Sequence, residues 1–330
     1  MYRDKTIGVV VPAYNEEQLV GQVIDTMPDY VDRVYVVDDC SKDNTLKVIR
    51  KHSKIQNARD YGDVRPFKKR IVPIHHAKNK GVGGAIKTGY LRAIDDEIDV
   101  TAVMGGDAQM KPEHLYKLLD PIIDGEADYT KGNRLLFWQF RKEMTRWRFF
   151  GNALLTFLTK ISSGYWKTMD PQNGYTAISK FALKNINIKD MYEFYGYCND
   201  ILVKLNVEDM TVADVAIPAV YGEESSGIRY RSYIIKVSRL LTRNFFWRMK
   251  TKYLLLDFHP LALFYLFGSI LSGFGAGLAC WSLYRRFFFD EPMFMRGTLS
   301  LLVFIMGSMF IMFAMLFDMQ VNQHKEKQIH

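Results

Sequence analysis

The chain has 330 residues, of which 48% are hydrophobic and 24% are charged. This length and composition allow one or two domains with a sizeable core, and they exclude a disordered chain or a small disulfide scaffold. The formal net charge of the chain is +8, and one stretch, 229–252, alone has eight Lys or Arg and no Asp or Glu. Because a nucleic-acid-binding surface would spread its charge, this concentration favours an anionic membrane surface or a phosphate group as the partner, and no nucleic acid.

Residues 6–131 alternate short β-branched runs with amphipathic helical stretches. Strands are predicted over TIGVVVP, RVYVVD, IVPIH and VTAVMG, with helices from about Glu16, after Asp43 and from about Gly83. This βαβ pattern is typical of an α/β protein with a doubly wound sheet, which binds ligands beyond the carboxyl ends of its strands. The segments that follow the first, second and fourth strands are rich in polar residues or glycine. The sequence therefore predicts one site where these strand ends meet, built from residues 12–17, 38–44 and 105–109.

Two later segments combine an apolar stripe at helical spacing with basic residues. One stripe runs from Phe150 to Ile161 behind a basic run at 141–148, and the other runs from Ile234 to Leu241 among Lys and Arg. Core packing is the usual meaning of such a stripe. The basic flanks favour interfacial helices instead, the second of them a basic amphipathic juxtamembrane helix over 229–257.

Two runs, 258–284 and 297–317, contain no Asp, Glu, Lys or Arg. As helices with a rise of ~1.5 Å per residue, each can cross ~30 Å of hydrocarbon. Residues 258–320 are therefore predicted to form a two-helix transmembrane hairpin, with spans at about 260–284 and 297–317 and a cytosolic tail over 321–330. Basic residues before the first span and after the second favour the cytosol for both ends, and the N-terminus lacks a signal-peptide pattern. A pair of buried helices in a soluble core is the alternative.

Six motifs, in order along the chain, resemble those of the family 2 glycosyltransferases of GT-A fold. They are VVVPAYNEE (9–17), VVDDCSKDNT (36–45), NKGVGGAIKTGY (79–90), MGGDAQM (104–110), KGNR (131–134) and DPQNGYTAIS (170–179). Within that family the chain is most similar to the polyprenyl-phosphate glycosyltransferases, which act on dolichol or undecaprenyl phosphate. The resemblance covers about residues 5–245 and implies a Rossmann-like catalytic domain with a mixed, doubly wound sheet over 1–228.

The resemblance implies a nucleotide site at the first strand ends. Its implied residues are Pro12, Tyr14, Glu16, Asp39, Gly106 and Asp107. Asp39 matches the acid that accepts a hydrogen bond from the base, and a carboxylate suits this task because uracil and guanine both offer a ring N–H. Helix capping near 41–44 is the alternative for the acidic pair at 38–39.

The metal motif departs from the family pattern. Relatives carry Asp-Ala-Asp followed by Leu-Gln, whereas this chain has Gly-Gly-Asp-Ala-Gln over 105–109 and lacks the first Asp. Asp107 and Gln109 are the implied ligands of Mg²⁺ or Mn²⁺, since a bound diphosphate supplies further oxygens. A weaker metal dependence or a pseudoenzyme is the alternative.

The acceptor implied by the resemblance is a polyprenyl phosphate, which is largely dianionic at neutral pH and is itself a nucleophile. Cations are needed to position it. The implied residues around its phosphate and the sugar are Arg134, Asp170, Asn173, Gly174, Arg229 and Arg231. Asp107, Arg134 and Asp200 are the implied catalytic residues, although Asp200 matches a base of sugar-hydroxyl transferases and here is expected to bind the sugar or the metal.

Together these observations predict a membrane-bound inverting glycosyltransferase that moves one sugar from a nucleoside diphosphate sugar, UDP in preference to GDP, to a polyprenyl phosphate. The reaction is placed at the cytosolic face of a cell or endoplasmic-type membrane. A processive polysaccharide synthase and a non-catalytic nucleotide- or lipid-binding scaffold are the alternatives. A homo-oligomer is allowed by glycines that permit close helix approach, at positions 268, 273, 275 and 277.

Overall fold

The structure is a computed structural model that describes residues 1–59, 61, 66–134, 146–218, 230–256 and 258–329, without the side chains of 146–150, 152 and 230–232. Contacts within the chain divide it into two units. The first, here the catalytic unit, contains residues 1–244 and 324–330, and the second, the hairpin unit, contains residues 245–323.

The catalytic unit is built on an eight-stranded mixed sheet in the order β3-β2-β1-β4-β6-β5-β7-β8. Its strands are β1 (Ile7–Ala13), β2 (Arg33–Asp38), β3 (Ile71–His75), β4 (Val100–Val103), β5 (Tyr129–Asn133), β6 (Thr176–Ser179), β7 (Val212–Ala216) and β8 (Glu326–Ile329). The α-helices among the described residues are α1 (Val20–Asp25), α2 (Thr45–Asn57), α3 (Gly81–Asp95), α4 (Leu115–Ile123), α5 (Arg146–Ser163), α6 (Lys180–Asn185), α7 (Tyr197–Val207), α8 (Tyr230–Lys250), α9 (Leu261–Phe289) and α10 (Phe294–Asn322).

The first four strands are parallel, which confirms the predicted βαβ arrangement. Strand β6 runs antiparallel to both β4 and β5, so the sheet is mixed, as the resemblance implied. The valine run of β1 has no polar side because helices cover both faces of the sheet. Val9 and Val11 pack in the core that contains α4, whereas Val10 packs in the core that contains α3 and α7.

The C-terminal residues differ from the expected tail. Strand β8 pairs in parallel with β7, in a register that places Glu326 beside Val212, and residues 324–330 belong to the catalytic unit. The segment EKQI is too short and too polar to predict a strand from its pattern. The strand forms because β7 offers an edge to its backbone, and the Glu326 carboxylate, 6% exposed, accepts hydrogen bonds from three backbone N–H groups at 166–168.

The hairpin unit contains α9 and α10, each 29 residues long. Only 22% and 17% of their most apolar windows are buried, whereas the core helices of a soluble protein would be mostly covered. The two long apolar helices predicted from the sequence are therefore confirmed, and they mark a membrane protein. Two of the glycines assigned to oligomer contacts serve the hairpin itself: a Cβ at Gly275 would lie 2.5 Å from Phe304 N, and one at Gly268 would lie 2.9 Å from Ile311 N.

A buried polar cluster lies within the hairpin unit. Arg248 and Asp318, both 0% exposed, form two parallel hydrogen bonds of 2.8 and 2.9 Å. Tyr253 Oη and Asn322 Nδ2 donate to the same carboxylate at 2.9 and 3.0 Å. An ionised side chain in an apolar surrounding requires an oppositely charged, hydrogen-bonded partner of this kind. This cluster joins the π-helical stretch Thr251–Leu256 and the end of α8 to α10.

Candidate active site

Backbone hydrogen bonds bring together the three loops predicted to form the site. Asp39 N donates to Ala13 O at 2.9 Å, and Gly106 N donates to Pro12 O at 3.1 Å. The chain after β2 and the chain after β4 therefore both continue alongside the end of β1. This places the loops that carry Pro12, Asp39 and Gly106 together at the carboxyl ends of β1, β2 and β4, where the sequence predicted that they meet.

The loops after β1 and β2 also hold each other through side chains. Asn15, which has a positive φ of 57°, accepts from Lys42 N at 2.9 Å, and its own N–H donates to Ser41 Oγ at 3.0 Å. Glu16 N donates to Thr45 Oγ1 at 2.8 Å. Tyr14, in the loop after β1, is 42% exposed. A rigid loop thus presents the predicted nucleotide residues Tyr14 and Glu16 beside the end of β2.

Asp39 lies just after β2 and is only 3% exposed. Its Oδ1 accepts from His76 Nδ1 at 2.7 Å and from Lys80 N at 2.8 Å, and its Oδ2 accepts from Gly81 N at 2.7 Å. The last two donors begin α3, so Asp39 caps this helix and not α2, near which the capping alternative had placed it. A carboxylate offers about four lone-pair sites. The three bonds therefore leave capacity for one further N–H donor.

His76 was not identified from the sequence. An ionised carboxylate only accepts hydrogen bonds, so Nδ1 of His76 carries the proton that faces Asp39. Its Nε2 lies 2.9 Å from Thr88 Oγ1. His75 repeats the arrangement, with Nδ1 2.7 Å from Asp38 Oδ2. The signal in the sequence is an Asp-Asp pair and a His-His pair at the ends of neighbouring parallel strands, because the register sets Asp38 opposite His75.

Asp107 lies in the turn after β4, where its Oδ1 accepts from Gln109 N at 3.1 Å. Ala108 between them has a positive φ of 54°, which tightens the turn. Gly106 packs against the first strand, since a Cβ there would lie 3.0 Å from Pro12 O. The close approach of this backbone to β1 explains the second glycine of the MGGDAQM motif, Gly106.

The donor set of this turn consists of one carboxylate, Asp107, and one side-chain amide, Gln109. Across the part of the chain that the structure describes, no group of three or more His, Cys, Asp or Glu is placed to hold a metal ion. Burial raises the pKa of Asp107, an energetic cost that a neighbouring cation would remove. Mg²⁺ is commonly held by one or two carboxylates together with substrate phosphates. Asp107 and Gln109 therefore fit a divalent cation that is held jointly by the protein and a substrate phosphate.

Arg134 and Asp170, two residues implied for the acceptor, form a bidentate ion pair. Arg134 Nε and Nη2 donate to the two Asp170 oxygens at 2.7 and 2.9 Å. Burial raises the pKa of Asp170, but Arg134 and Lys131 outweigh it, so the net pKa lies below the ordinary value. Arg134 is half-exposed at 41%, whereas Asp170 is buried. The guanidinium therefore reaches solvent while the carboxylate fixes its plane.

A second buried ion pair, Lys131 with Asp214 at 3.0 Å, lies behind the first and was missed by the sequence analysis. Lys131 Nζ also donates to the backbone oxygen of Asp170 at 3.1 Å. Asp214 Oδ2 accepts from Asn133 Nδ2 at 2.9 Å. The Lys of the KGNR motif thus points into the protein to hold the Asp170 segment, and the Arg of the motif points outward.

The residues after Asp170 meet the turn after β4, because β4 and β6 pair directly. Tyr175 Oη donates to Lys111 O at 2.9 Å, and a Cβ at Gly174 would lie 3.4 Å from Met110 Cε. Asn173 is 7% exposed, and its Oδ1 accepts from Tyr175 N at 3.0 Å. The Asp107 turn and the turn that carries Asn173 and Gly174 are therefore neighbours.

Asp200 lies in the first turn of α7 and is 2% exposed. Its oxygens accept from Tyr192 N at 2.9 Å and from Asn244 Nδ2 at 2.7 Å. These bonds join α7 to α8 and to the loop that packs against the start of α3, where Gly84 N donates to the backbone oxygen of Glu193 at 2.9 Å. The structure thus surrounds Asp200 with protein donors. Arg229 and the side chain of Arg231 lie outside the described residues.

The sequence profile of glycosyl transferase family 2 matches residues 8–186 of the chain. The UDP-N-acetylglucosamine–dolichyl-phosphate N-acetylglucosaminyltransferase of Methanococcus voltae is 30% identical over 249 residues, which cover 72% of this chain and 99% of that protein. The chain belongs to glycosyl transferase family 2. It is a glycosyltransferase, and polyprenyl-phosphate sugar transferases are among its relatives. The undecaprenyl-phosphate mannosyltransferase of Micrococcus luteus is 28% identical, covering 66% of this chain and 84% of that protein.

A solved structure supports the fold. Glucosyl-3-phosphoglycerate synthase from Mycobacterium tuberculosis, crystallised with Mn²⁺, uridine diphosphate and glucosyl-3-phosphoglycerate, superposes with a TM-score of 0.51 at 19% identity, covering 74% of this chain and 80% of that one. The expected GT-A fold is confirmed. A similar structure of that enzyme was crystallised with Mg²⁺ and uridine diphosphate, so divalent cations occur with this fold.

Proposed function

We propose that this glycosyltransferase moves one sugar from a nucleoside diphosphate sugar, preferably a UDP-sugar, to a polyprenyl phosphate, with inversion at the anomeric carbon. The observation that carries the proposal is the contact between the Asp107 turn and the Asn173–Gly174 turn. This contact supports transfer between two phosphates, because the turn proposed to hold the diphosphate and the turn proposed to line the acceptor are neighbours. We call the ends of β1, β2 and β4 the donor side, and residues 131–134, 166–174 and 214 the acceptor side.

On the donor side, Asp39 is held by three N–H donors and retains capacity for a base N–H. The rigid Tyr14–Glu16 loop lies next to it and is the proposed contact for the base and ribose. UDP is favoured over GDP because the relative from Methanococcus voltae is named for a UDP-sugar. Solved structures of this fold also contain uridine diphosphate.

The diphosphate is proposed to lie at the Asp107 turn, where Asp107 and Gln109 would hold a divalent cation together with it. When bound, that cation supplies positive charge against the negative charge that develops on the leaving diphosphate. Gly106 allows the backbone of the turn to lie close to β1. This arrangement keeps the Asp107 carboxylate fixed through its bond from Gln109 N.

On the acceptor side, an oxygen of the lipid phosphate attacks the anomeric carbon, and the bond from that carbon to the diphosphate oxygen breaks. The dianionic phosphate carries no proton that must be removed, so no protein base is required. Arg134 is proposed to orient it, since a planar guanidinium can bind phosphate oxygens in a fixed direction. Asp170 and Lys131 position Arg134 and its loop.

The membrane part supports a lipid acceptor. The two long apolar helices of the hairpin unit are suited to a bilayer, and α8 carries basic residues in sequence just before them. Positive flanks on both sides of the hairpin favour a cytosolic catalytic unit. Leu155 of α5 packs with Val237 and Leu241 of α8, while Phe157 and Ile234 are about half-exposed at 47% and 46%. These two helices are the proposed interfacial elements.

The decisive experiment measures sugar transfer by the full-length protein in lipid nanodiscs. UDP-sugars labelled in the sugar, including UDP-N-acetylglucosamine, are incubated with and without polyprenyl phosphate, and the label in extractable lipid is counted. We expect transfer of one sugar that depends on both the lipid and a divalent cation. Products longer than one sugar would instead indicate a processive synthase.

The Asp107 turn has a single carboxylate, so the same experiment tests whether this turn supports transfer to lipid. Nucleotide binding by calorimetry with no labelled lipid from any sugar donor would contradict the proposal. UDP- and GDP-sugars are therefore tested side by side, and Asp107→Asn serves as the matched inactive variant.

A further inference from the structure

Glu326 of β8 binds a loop of the acceptor side. Its Oε1 accepts from Trp166 N at 2.7 Å, and its Oε2 accepts from Lys167 N and Thr168 N at 2.6 and 2.9 Å. The side chain is buried, and three backbone N–H groups on one carboxylate form a strong, charge-assisted set of hydrogen bonds. Gln328, two residues further along the strand, donates to Lys167 O at 3.3 Å.

The same loop continues into the proposed acceptor site. Met169 N donates to Asp214 Oδ2 at 2.7 Å, so four consecutive N–H groups, at 166–169, bind two carboxylates from the adjacent strands β7 and β8. The next residue is Asp170, whose positive φ of 47° is unfavourable for a non-glycine residue. Its conformation is maintained by the surrounding bonds, and its carboxylate holds Arg134.

We infer that Glu326 is a positioning residue of the acceptor side, and that the C-terminal strand completes the active site after the chain has passed through the hairpin. The inference rests on the proposed function, because it concerns the placement of Asp170 and Arg134. Glu326 itself is not a catalytic residue, since its three bonds go to backbone N–H groups of the loop.

Covering the exposed edge of β7 is the simpler role for β8. An edge cover needs only the backbone ladder, which any strand-forming residue at position 326 provides. A buried carboxylate adds nothing to that ladder and is costly unless it is fully bonded. Lys327 is exposed and makes the same ladder. The buried Glu326 carboxylate therefore has a second role, which is to bind the backbone N–H groups of residues 166–168.

The substitution Glu326→Gln keeps the shape of the side chain but places an amide donor against backbone N–H donors. We expect the loop to shift, and kcat for transfer to polyprenyl phosphate to fall by about tenfold or more, because misplacement of a positioning group by about 1 Å can cost far more than its contact energy. The KM for the sugar nucleotide should stay unchanged, since the donor side has no bond to β8 among the described residues. Lys327→Gln is the matched control on the same strand.

The test uses the full-length protein in nanodiscs and combines these kinetics with hydrogen exchange of the 166–170 amides. Faster exchange at 166–168 with lower kcat and unchanged donor KM in Glu326→Gln, but not in Lys327→Gln, supports the inference. Wild-type kcat in Glu326→Gln overturns it, as does an equal loss in both variants.

Hydrogen exchange separates this inference from the proposed function. If the wild-type protein transfers no sugar, the proposed function fails, and exchange alone judges the role of Glu326. Unchanged protection of 166–168 in Glu326→Gln then overturns the positioning role, and lost protection supports it. If Glu326→Gln unfolds, Glu326→Asp keeps the charge but shortens the reach. Normal kcat with lost loop protection in that variant would also overturn the inference.

Discussion

The donor side and the acceptor side use their charged residues differently. On the donor side, the Asp39 carboxylate is bonded to two backbone N–H groups and one imidazole, and Asp107 to one backbone N–H. On the acceptor side, Asp170 and Asp214 are paired with Arg134 and Lys131. A carboxylate held by N–H donors can accept a further N–H from a nucleotide without giving up an Arg or Lys partner. A lipid phosphate that binds Arg134 must instead share that guanidinium with Asp170.

This contrast predicts that donor-side substitutions change nucleotide binding or leaving-group departure, whereas acceptor-side substitutions change use of the lipid. The guanidinium has five N–H donors in one plane, two of which bond to Asp170. Asp170 thus orients Arg134 without covering its whole donor set. Kinetics in which lipid and donor are varied separately can test this division.

The largest effect is expected for Asp107→Asn. Asp107 is the only carboxylate of its turn, so the substitution removes the charge proposed to hold a cation at the diphosphate. Loss of such electrostatic stabilisation typically lowers kcat by about 100-fold or more. Transfer rates are measured over a range of Mg²⁺ and Mn²⁺ concentrations. Gln109→Ala, which removes the amide of the same turn but no charge, is measured beside it and should lower kcat less. Retention of more than about a tenth of the wild-type rate by Asp107→Asn, equivalent to ~1.4 kcal/mol, would show that the assignment is wrong.

The fold of the donor side was predictable because its segments are short and local. Each βα unit carries its own strand, loop and helix, and the valine runs with the loop residues at 12–17 and 38–44 signal the strand ends directly. The acceptor side joins residues far apart in the sequence. Glu326 contacts Trp166 across 160 positions, and no periodicity links them. The geometry of the acceptor side could therefore not be predicted from the sequence and is seen only in the structure.

Individual site residues follow the same division. Asp39 was placed correctly at the end of β2, but its cap on α3 depends on Lys80 and Gly81, which only the parallel sheet brings near. His76 was missed because the His-His pair at 75–76 can be matched to the Asp-Asp pair at 38–39 only when the register of β2 and β3 is known. The pairing of Arg134 with Asp170 was also missed, although both had been assigned to the acceptor. A motif gives residue identity but not the partner.

The second effect concerns Arg134. Arg134→Ala removes a charge-assisted contact to the lipid phosphate, of the type that contributes on the order of 2 kcal/mol, or about 30-fold. We expect a higher KM for polyprenyl phosphate and a lower kcat, with donor affinity nearly unchanged. Arg134→Lys keeps the charge but not the planar geometry and should raise mainly the lipid KM. A defect confined to donor binding would assign Arg134 to the donor side instead.

The third effect is on donor binding through Asp39. Asp39→Ala should weaken the UDP-sugar about tenfold, since it removes a charged acceptor for the base N–H. It also removes the cap of α3, at a cost of about 1 kcal/mol in unfolding free energy. Ser179→Ala separates the two effects, because Ser179 caps α6 by accepting from Ala182 N at 3.1 Å. Calorimetry of donor binding and thermal unfolding are compared: equal donor affinity in Asp39→Ala and wild type would leave Asp39 as a helix cap alone.

The smallest effect is the acid dependence of stability contributed by Asp170. Its folded-state pKa is lowered, because Arg134 and Lys131 outweigh the opposing effect of burial. A lowered carboxyl pKa stabilises the fold above the unfolded value of about 4, and this stabilisation is lost as the pH falls through the folded pKa. Asp170→Asn does not titrate, so the wild type should be the more stable protein near neutral pH, and the difference should shrink on acidification. Asp96, whose pKa is also lowered beside Arg33, supplies the control: Asp96→Asn should show the same trend in thermal unfolding but keep wild-type lipid kinetics. A difference between wild type and Asp170→Asn that stays constant with pH would mean that the ion pair does not hold the acceptor loop in the folded protein.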